Sequence, residues 1–249
     1  MPAIPYLTNS IVSSPPVRLA VIADVHANLP ALDAVLADID ARTVDAVLCL
    51  GDIVGYGPAP GAALDRVREV CAVSVMGNHD EAVATGNGID VLPTDGQAAA
   101  RAHREALSED HLEWLGGLPL TAEAYGVTLA HAGPFEPASW PRLDSFSAVQ
   151  AQFAAFDTDV CFVGHSHRPA IVSDQLGVMR VRRGPRYLIN VGSVGQPRDR
   201  DPRAAYGLFD TEAWTFEQRR VHYDVSRTQS SIRAAGLPAR LADRLAEGR

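Results

Sequence analysis

Short aliphatic runs recur along this chain, and several end abruptly in a small cluster of polar residues. Leu19-Ala20-Val21-Ile22-Ala23 is closed by Asp24-Val25-His26, and Ala46-Val47-Leu48-Cys49-Leu50 by Gly51-Asp52. A run this short and this apolar, followed by glycine or a turn, predicts a buried strand. Strands are therefore expected near 18–23 and 46–50. Between them Leu32, Val35, Leu36 and Ile39 repeat at helical spacing over Pro30 to Ala41, with Asn28 placed to cap free amides and Pro30 suited to the first turn. A second helix over Gly61 to Val70 leads to a strand over Ala72 to Met76. Strands alternating with helices predict an α/β fold whose sheet is at least partly parallel.

The pattern changes over residues 85–125. Gly86, Gly88 and Pro93 make a loop, an Ala-rich helix is expected from Gln97 to Leu107, and Ser108 opens another that stops near Gly116-Gly117. This stretch is expected to form a helical rim or lid. Val127 to Ala130 reads as a strand, Pro134 to Pro141 as a loop, and Ser147 to Phe156 as a helix. The runs Gly177 to Val181, Tyr187 to Val191, Ala205 to Phe209 and Trp214 to Tyr223 are spaced as an antiparallel series, with turns at Gly184-Pro185 and Asp201-Pro202. The tail has Ile232, Leu237, Leu241 and Leu245 at helical spacing, interrupted by Gly236 and Pro238.

Composition narrows the picture. A chain of 249 residues, 47% hydrophobic, suits one large α/β domain over 18–249, preceded by a flexible extension over 1–17. All 22 basic residues are arginine, which excludes chemistry that needs a lysine amine or a P-loop lysine. A net charge of −8 without a basic block argues against stable nucleic-acid binding, so an anionic substrate must be attracted locally. Cys49, Cys71 and Cys161 sit in apolar runs without CxxC spacing and read as small buried hydrophobes, which fits a reducing cytoplasm. No signal peptide and no membrane-spanning segment is visible.

The polar clusters carry the candidate chemistry. In order they are Asp24-Val25-His26, Gly51-Asp52, Gly77-Asn78-His79-Asp80, His131 and Gly164-His165-Ser166-His167. The carboxyl edge of an open α/β sheet is where ligands bind, so these residues read as one constellation scattered through the sequence. Two carboxylates, four imidazoles and one amide form an oxygen and nitrogen donor set without thiolate, enough for two metal ions. Such a set suits Mn²⁺, Fe, Zn²⁺ or Ni²⁺ better than a structural zinc. Asp24 and His26, two apart at a strand end, can reach one ion; in the 164–167 motif the turn can divide its two histidines between neighbouring ions.

Five motifs in this order resemble those of the calcineurin-like metallophosphoesterases, and the resemblance spans residues 18–223. The loops Gly51-Asp52-Ile53-Val54-Gly55-Tyr56-Gly57-Pro58 and Asn190-Val191-Gly192-Ser193-Val194-Gly195-Gln196-Pro197-Arg198 are similar to those of its small prokaryotic phosphodiesterases. The resemblance implies a four-layer sandwich of two mixed β-sheets flanked by helices. It also implies one divalent ion held by Asp24, His26, Asp52 and His167 and a second held by Asp52, Asn78, His131 and His165, with Asp52 shared and Mn²⁺ the first choice. His79 becomes the proton donor to the leaving oxygen. Two positions depart from the pattern: Val191 stands where relatives commonly have proline, and Ala27 where many have glycine.

Several residues keep two readings. Asp80 either orients His79 or caps the next helix, and Arg198 either clamps substrate phosphate or pairs with Asp199 or Asp201. His103, His111 and His222 lie outside the motifs and are expected at the surface. Trp114, Trp140 and Trp214 read as core, with Trp140 and Tyr56 the aromatics considered for stacking a nucleobase. The expected activity is hydrolysis of a small phosphoester, a nucleotide included, with diesters ahead of monoesters and dinucleoside polyphosphates; a homo-oligomer is compatible with this. A non-catalytic scaffold on the same fold is the rival from another class, and the intact donor set argues against it.

Overall fold

Strand β1 (Arg18–Ile22) shows why the aliphatic runs are continuous rather than alternating. In the computed structural model, which describes residues 17–177 and 180–249, both of its faces are covered. Leu19 and Val21 point into an apolar layer shared with a second sheet, while Ala20 and Ile22 point at helices. A strand buried on both sides has no solvent face on which to place polar residues. Of the extension expected over 1–17, only Val17 lies among the described residues.

The chain continues through α1 (Leu29–Asp40), β2 (Ala46–Cys49), α2 (Pro60–Val70) and β3 (Val73–Ser74). Then come α3 (Asn78–Thr85), α4 (Thr94–Ala106) and α5 (Glu109–Gly116), followed by β4 (Thr121–Ala124) and β5 (Val127–Ala130). Helix α6 (Phe146–Gln152) precedes β6 (Val160–Val163), β7 (Ala170–Ser173) and β8 (Tyr187–Asn190). The hairpin of β9 (Ala204–Asp210) and β10 (Thr215–Val221) leads to α7 (Val225–Ala234) and α8 (Ala239–Asp243).

Two five-stranded mixed sheets result, ordered β10-β9-β1-β2-β3 and β4-β5-β6-β8-β7. Strands β1, β2 and β3 run parallel, as do β5, β6 and β8, while β9, β10, β4 and β7 pair antiparallel at the sides. Leu48, Leu50, Leu129, Phe162, Ile189 and Phe209 fill the space between the sheets. Leu32, Val35, Leu36 and Ile39 of α1, with Leu64 and Val67 of α2, cover the outer face of the first sheet. Phe153 and Phe156 cover Cys161, Val163 and Leu188 on the outer face of the second. This is the four-layer α/β sandwich expected from the sequence.

Helix starts follow their caps. Asn28 accepts from the Ala31 amide, Ser108 from His111 and Ser145 from Ala148. The helix expected over 147–156 therefore starts one residue earlier, and it ends at Gln152. Residues 85–125 contribute Ala100, Leu107 and Leu115 to the helical layer, and Leu92 and Pro93 reach the rim of a cleft. No helix among the described residues is long and apolar enough to cross a membrane.

The late strands differ from expectation. The strand expected over 177–181 falls partly outside the described residues, and Gly177 and Arg180 lie in a turn and a bend. The series read as antiparallel is divided: β8 joins the second sheet parallel to β6, whereas β9 and β10 return to the first. The connection between them crosses both sheets, with Val194 and Gly195 amides donating to the carbonyls of Ala23 and Asp24. Strands β4 and β7 escaped the sequence reading because, half-exposed at sheet edges, they carry at most three aliphatic residues in a row.

Phe162 is fully buried between the sheets, with the Phe209 ring edge-on at 5.7 Å. Phe162→Ala should cost about 3–5 kcal/mol of unfolding free energy. Urea denaturation followed by circular dichroism checks this, and a loss below about 1 kcal/mol would mean that the inter-sheet layer collapses around the gap.

Candidate metal centre

The donors stand at the carboxyl ends of the parallel strands of both sheets. Asp24 and His26 follow β1, Asp52 follows β2, Asn78 opens α3 after β3, His131 follows β5, and His165 and His167 follow β6. Backbone bonds stitch these strand ends together: Asp24 N–H donates to Gly51, His26 to Asp52 and Gly164 to His131, at 2.8–3.0 Å. Asp24, His26, Asp52, His165 and His167 all have left-handed backbones, with φ between 48° and 66°. Such geometry costs a non-glycine residue about 1 kcal/mol or more, and it clusters at functional sites where the surroundings over-determine it. Gly77 presses its backbone on the Asp52 carboxylate, where a Cβ would have no room.

Two groups of donors result, and both include Asp52. One ligand atom from each of Asp24, His26, Asp52 and His167 lies within 4.8 Å of the others, and the same holds for Asp52, His131 and His165. Asp52 Oδ2 is 3.6 Å from His26 Nε2 and 3.4 Å from His131 Nε2, so its carboxylate stands between the groups. Asn78 Oδ1 is 3.0 Å from His165 Nδ1, which joins it to the second group. Every donor named from the sequence is thus brought to one place.

The proton positions test whether cations fit. Nδ1 of His26, His131 and His167 each lies 2.6–2.9 Å from a backbone carbonyl, of Val54, Leu50 and Gln196 respectively. A carbonyl only accepts, so each Nδ1 carries a proton and each Nε2 is the nitrogen turned inward, a lone-pair donor whenever its ring is neutral. His26 Nε2 and His167 Nε2 face each other at 3.1 Å, and burial holds both imidazoles well below their usual range. Two lone pairs at that distance repel unless a cation lies between them. Burial pushes the Asp24 carboxyl up to about 8, assisted by Asp52. Burial also opposes a charge on Asp52, but His131 and His79 outweigh it and hold that carboxyl well below the usual range. His131 is pushed down by burial and up by Asp52, which wins and leaves it at about 10. The two carboxylates thus favour a positive charge beside them, here on His131, and the donor set fits divalent cations.

Around the donors lies a cleft of about 700 Å³, lined in part by His79, Glu81, Trp140, Arg142, Arg168 and Arg198. His79 turns Nδ1 against Gly55, where a Cβ would come within 2.5 Å, which leaves Nε2 as the nitrogen available to the cleft. Burial holds this imidazole down at about 4, partly opposed by Asp52. Asp80 resolves to its structural reading: it accepts from the amides of Ile53, Val54 and Gly77 at 2.9–3.2 Å and makes no bond to the His79 ring. It ties the Asp52 loop to the start of α3. Arg198 makes no ion pair among the described residues; Asp199 pairs with Arg220, and Asp201 with Arg203 and Arg220. Its Nη2 donates to Gln196 Oε1 and its Nε is buried without a partner.

Three neighbours, His103, Gln196 and Arg244, were not identified from the sequence as parts of the site. His103, expected at the surface, is buried against the Gly55–Gly57 turn. Its Nδ1 accepts from the Gly55 amide and its Nε2 donates to the Gly57 carbonyl, so this neutral imidazole fixes the turn that carries Tyr56. Tyr56 is buried, with the rings of His26 and His79 at 4.6 and 4.4 Å and the guanidiniums of Arg198 and Arg244 over its face, so it offers no platform for a base. Gln196 Oε1 accepts from both Arg198 and Arg244. His111 is only partly exposed and reaches Asp65 at 3.0 Å, while His222 is at the surface as expected. Trp140 lies at the cleft wall, its Nε1 donating to Glu81.

The two departures leave the site intact. Ala27 holds φ 51°, a conformation that glycine adopts without steric cost. The Val191 amide donates to Val163 at 3.2 Å, a bond that proline would lose.

Residues 17–213 match the model of the calcineurin-like phosphoesterase superfamily domain. A crystal structure of a metallophosphoesterase from Sphaerobacter thermophilus is 37% identical, covering 94% of this chain and all 100% of that one, with a TM-score of 0.82. An uncharacterised protein of Methanocaldococcus jannaschii is 37% identical over 241 residues, 93% of this chain and 98% of its own length. The Escherichia coli phosphodiesterase YfcE is 26% identical over 212 residues, 78% of this chain and 88% of its own. With a family match from β1 through β9 and a relative alike over nearly its full length, the chain belongs to the calcineurin-like phosphoesterase superfamily.

Proposed function

We propose that this protein is a metal-dependent phosphodiesterase that holds two divalent cations, with Asp52 shared between them. The observation that carries the reading is the placement of the Asp52 carboxylate, 3.6 Å from His26 Nε2 in one donor group and 3.4 Å from His131 Nε2 in the other. Asp24, His26 and His167 complete the first set; Asn78, His131 and His165 complete the second. Oxygen and imidazole donors without thiolate favour Mn²⁺, with Fe, Zn²⁺ and Ni²⁺ as alternatives. Bound divalent cations supply Lewis acidity, neutralising phosphate oxygens and lowering the pKa of water enough to make it a nucleophile.

The chain's own residues do the rest. Arg198, free of carboxylates and anchored through Gln196, presents its guanidinium to phosphate in the cleft. His79 offers Nε2 to the leaving oxygen, and an anionic phosphate beside it opposes the downward shift that burial imposes. The diester preference rests on the likeness of residues 51–58 and 190–198 to small phosphodiesterases and on the relative named as one. We further take residues 18–249 as one domain, because β9, late in the chain, pairs with β1. Three free cysteines accord with work in a reducing cytoplasm.

Asp52→Asn should abolish activity and weaken both cations, because it removes the negative charge that they share. Elemental analysis of the purified variant decides this, and two tightly held ions in an active Asp52→Asn protein would overturn the dinuclear assignment.

Wild-type protein loaded with Mn²⁺ should show a higher kcat/KM on bis(p-nitrophenyl) phosphate than on p-nitrophenyl phosphate; a clear preference for the monoester would replace the diesterase by a phosphatase. Arg198→Ala should raise KM by about tenfold or more, as expected for a lost hydrogen bond to a charged group, with a smaller effect on kcat.

His79→Ala should keep both cations and lose about 10²–10⁴-fold in kcat on an alkyl or nucleoside ester, but far less on a p-nitrophenyl ester, whose leaving group departs without a proton. Equal losses on both esters, with metal content intact, would leave His79 as a phosphate-positioning residue.

A further inference from the structure

An apolar pocket of about 80 Å³ adjoins the cleft on the outer face of the second sheet. Val163 of β6, Val172 of β7 and Leu188 of β8 line it from the sheet, and Leu143 and Val149 line it from the loop and helix above. Val172 and Leu188 are directly paired across the β7 and β8 ladder, so these side chains form a continuous wall. The pocket shares Leu143, His165 and Ser166 with the cleft, and the two spaces meet at the Gly164–Ser166 turn. His165, whose Nδ1 faces Asn78 and His131, therefore stands between the donor cluster and the pocket.

The Asn190 and Ser166 side chains at its edge are already engaged. Asn190 Nδ2 donates to the Gly164 carbonyl and to Ser166 Oγ, and Asn190 Oδ1 accepts from the Gly192 amide. With that amide and hydroxyl engaged and most of the lining aliphatic, water there finds fewer than the two to four polar partners that hold a buried molecule. A space that solvates poorly, beside a charged centre, rewards an apolar group brought in by something held at that centre.

We propose that this pocket is a subsite for a short aliphatic group attached to the phosphorus centre of the substrate. The inference rests on the phosphoesterase reading above and adds a substrate class to it, the alkyl phosphoesters. Size sets the limit. An apolar cavity of about 150 Å³ accommodates benzene, so a space about half as large takes a chain of about three carbons and excludes a purine or pyrimidine.

The test uses protein loaded with Mn²⁺ and titrated calorimetrically with methyl-, ethyl-, propyl- and butylphosphonate, which bind without turnover. Kd should fall about fourfold with each carbon added up to propyl and then level off, since each methylene buried contributes a similar increment. Val172→Phe, on edge strand β7, should fill the pocket and remove the dependence on chain length while leaving the Kd for methylphosphonate unchanged. Val149→Phe in α6 tests the same space should the first variant fail to fold. A Kd independent of chain length in the wild type, or a dependence that survives a folded filling variant, overturns the subsite. Turnover of bis(p-nitrophenyl) phosphate alongside a flat series overturns the subsite alone, whereas an intact series without turnover on either p-nitrophenyl ester overturns the phosphoesterase reading alone.

Discussion

Two buried carboxylates and a ring of inward-turned imidazole nitrogens converge at the carboxyl edge of this fold in two groups that share Asp52. Like charges and lone pairs at 3–4 Å in a water-poor interior repel strongly, so the arrangement persists only because the surrounding backbone holds it and a cation can relieve it. Three of the histidines are locked by carbonyls of Leu50, Val54 and Gln196, each from a loop that also carries or flanks another site residue. The left-handed turns at Asp24, His26, Asp52, His165 and His167 belong to the same constraint. They turn each side chain out of its strand and toward the common centre.

That constraint explains the architecture. Donors from β1, β2 and β3 can meet donors from β5 and β6 only if the two sheets stack with their parallel strands ending at one edge. The layer of Leu19, Val21, Leu48, Phe162 and Phe209 sets that stacking. The connection after β8 then crosses between the sheets: the Gly195 amide and the Ser193 hydroxyl both donate to the Asp24 carbonyl, and the Gln196 carbonyl holds His167. Packing and site geometry are therefore coupled, and a shift of one sheet against the other displaces half of the donor set.

A net charge of −8 leaves room for an anion-attracting cleft, because charge acts locally. Arg142, Arg168 and Arg198 line the cleft and make no ion pair among the described residues, whereas Arg203 and Arg220 are taken up by Asp199 and Asp201. Near charges outweigh distant ones once salt screens beyond about 10 Å, so net charge says little about what the cleft attracts. Behind Arg198, the C-terminal Arg244 shares both the Gln196 side chain and the Tyr56 ring, which brings the chain end into the support of the site.

Where several strands end, and which polar residues stand there, was legible locally, because an aliphatic run, a turn and a capping side chain are short-range signals. The sequence also carried the family and hence the layered sandwich, since the motif order survives even though their contacts are distant. That β8 leaves the antiparallel series for the second sheet emerges only from the packed fold, because strand pairing depends on partners remote in sequence. The tertiary structure likewise turned His103 from a surface residue into the clamp of the Tyr56 turn, and freed Arg198 by giving Asp199 and Asp201 other partners. A lone polar residue carries no periodic signal, and its burial and partners exist only once the elements around it have packed.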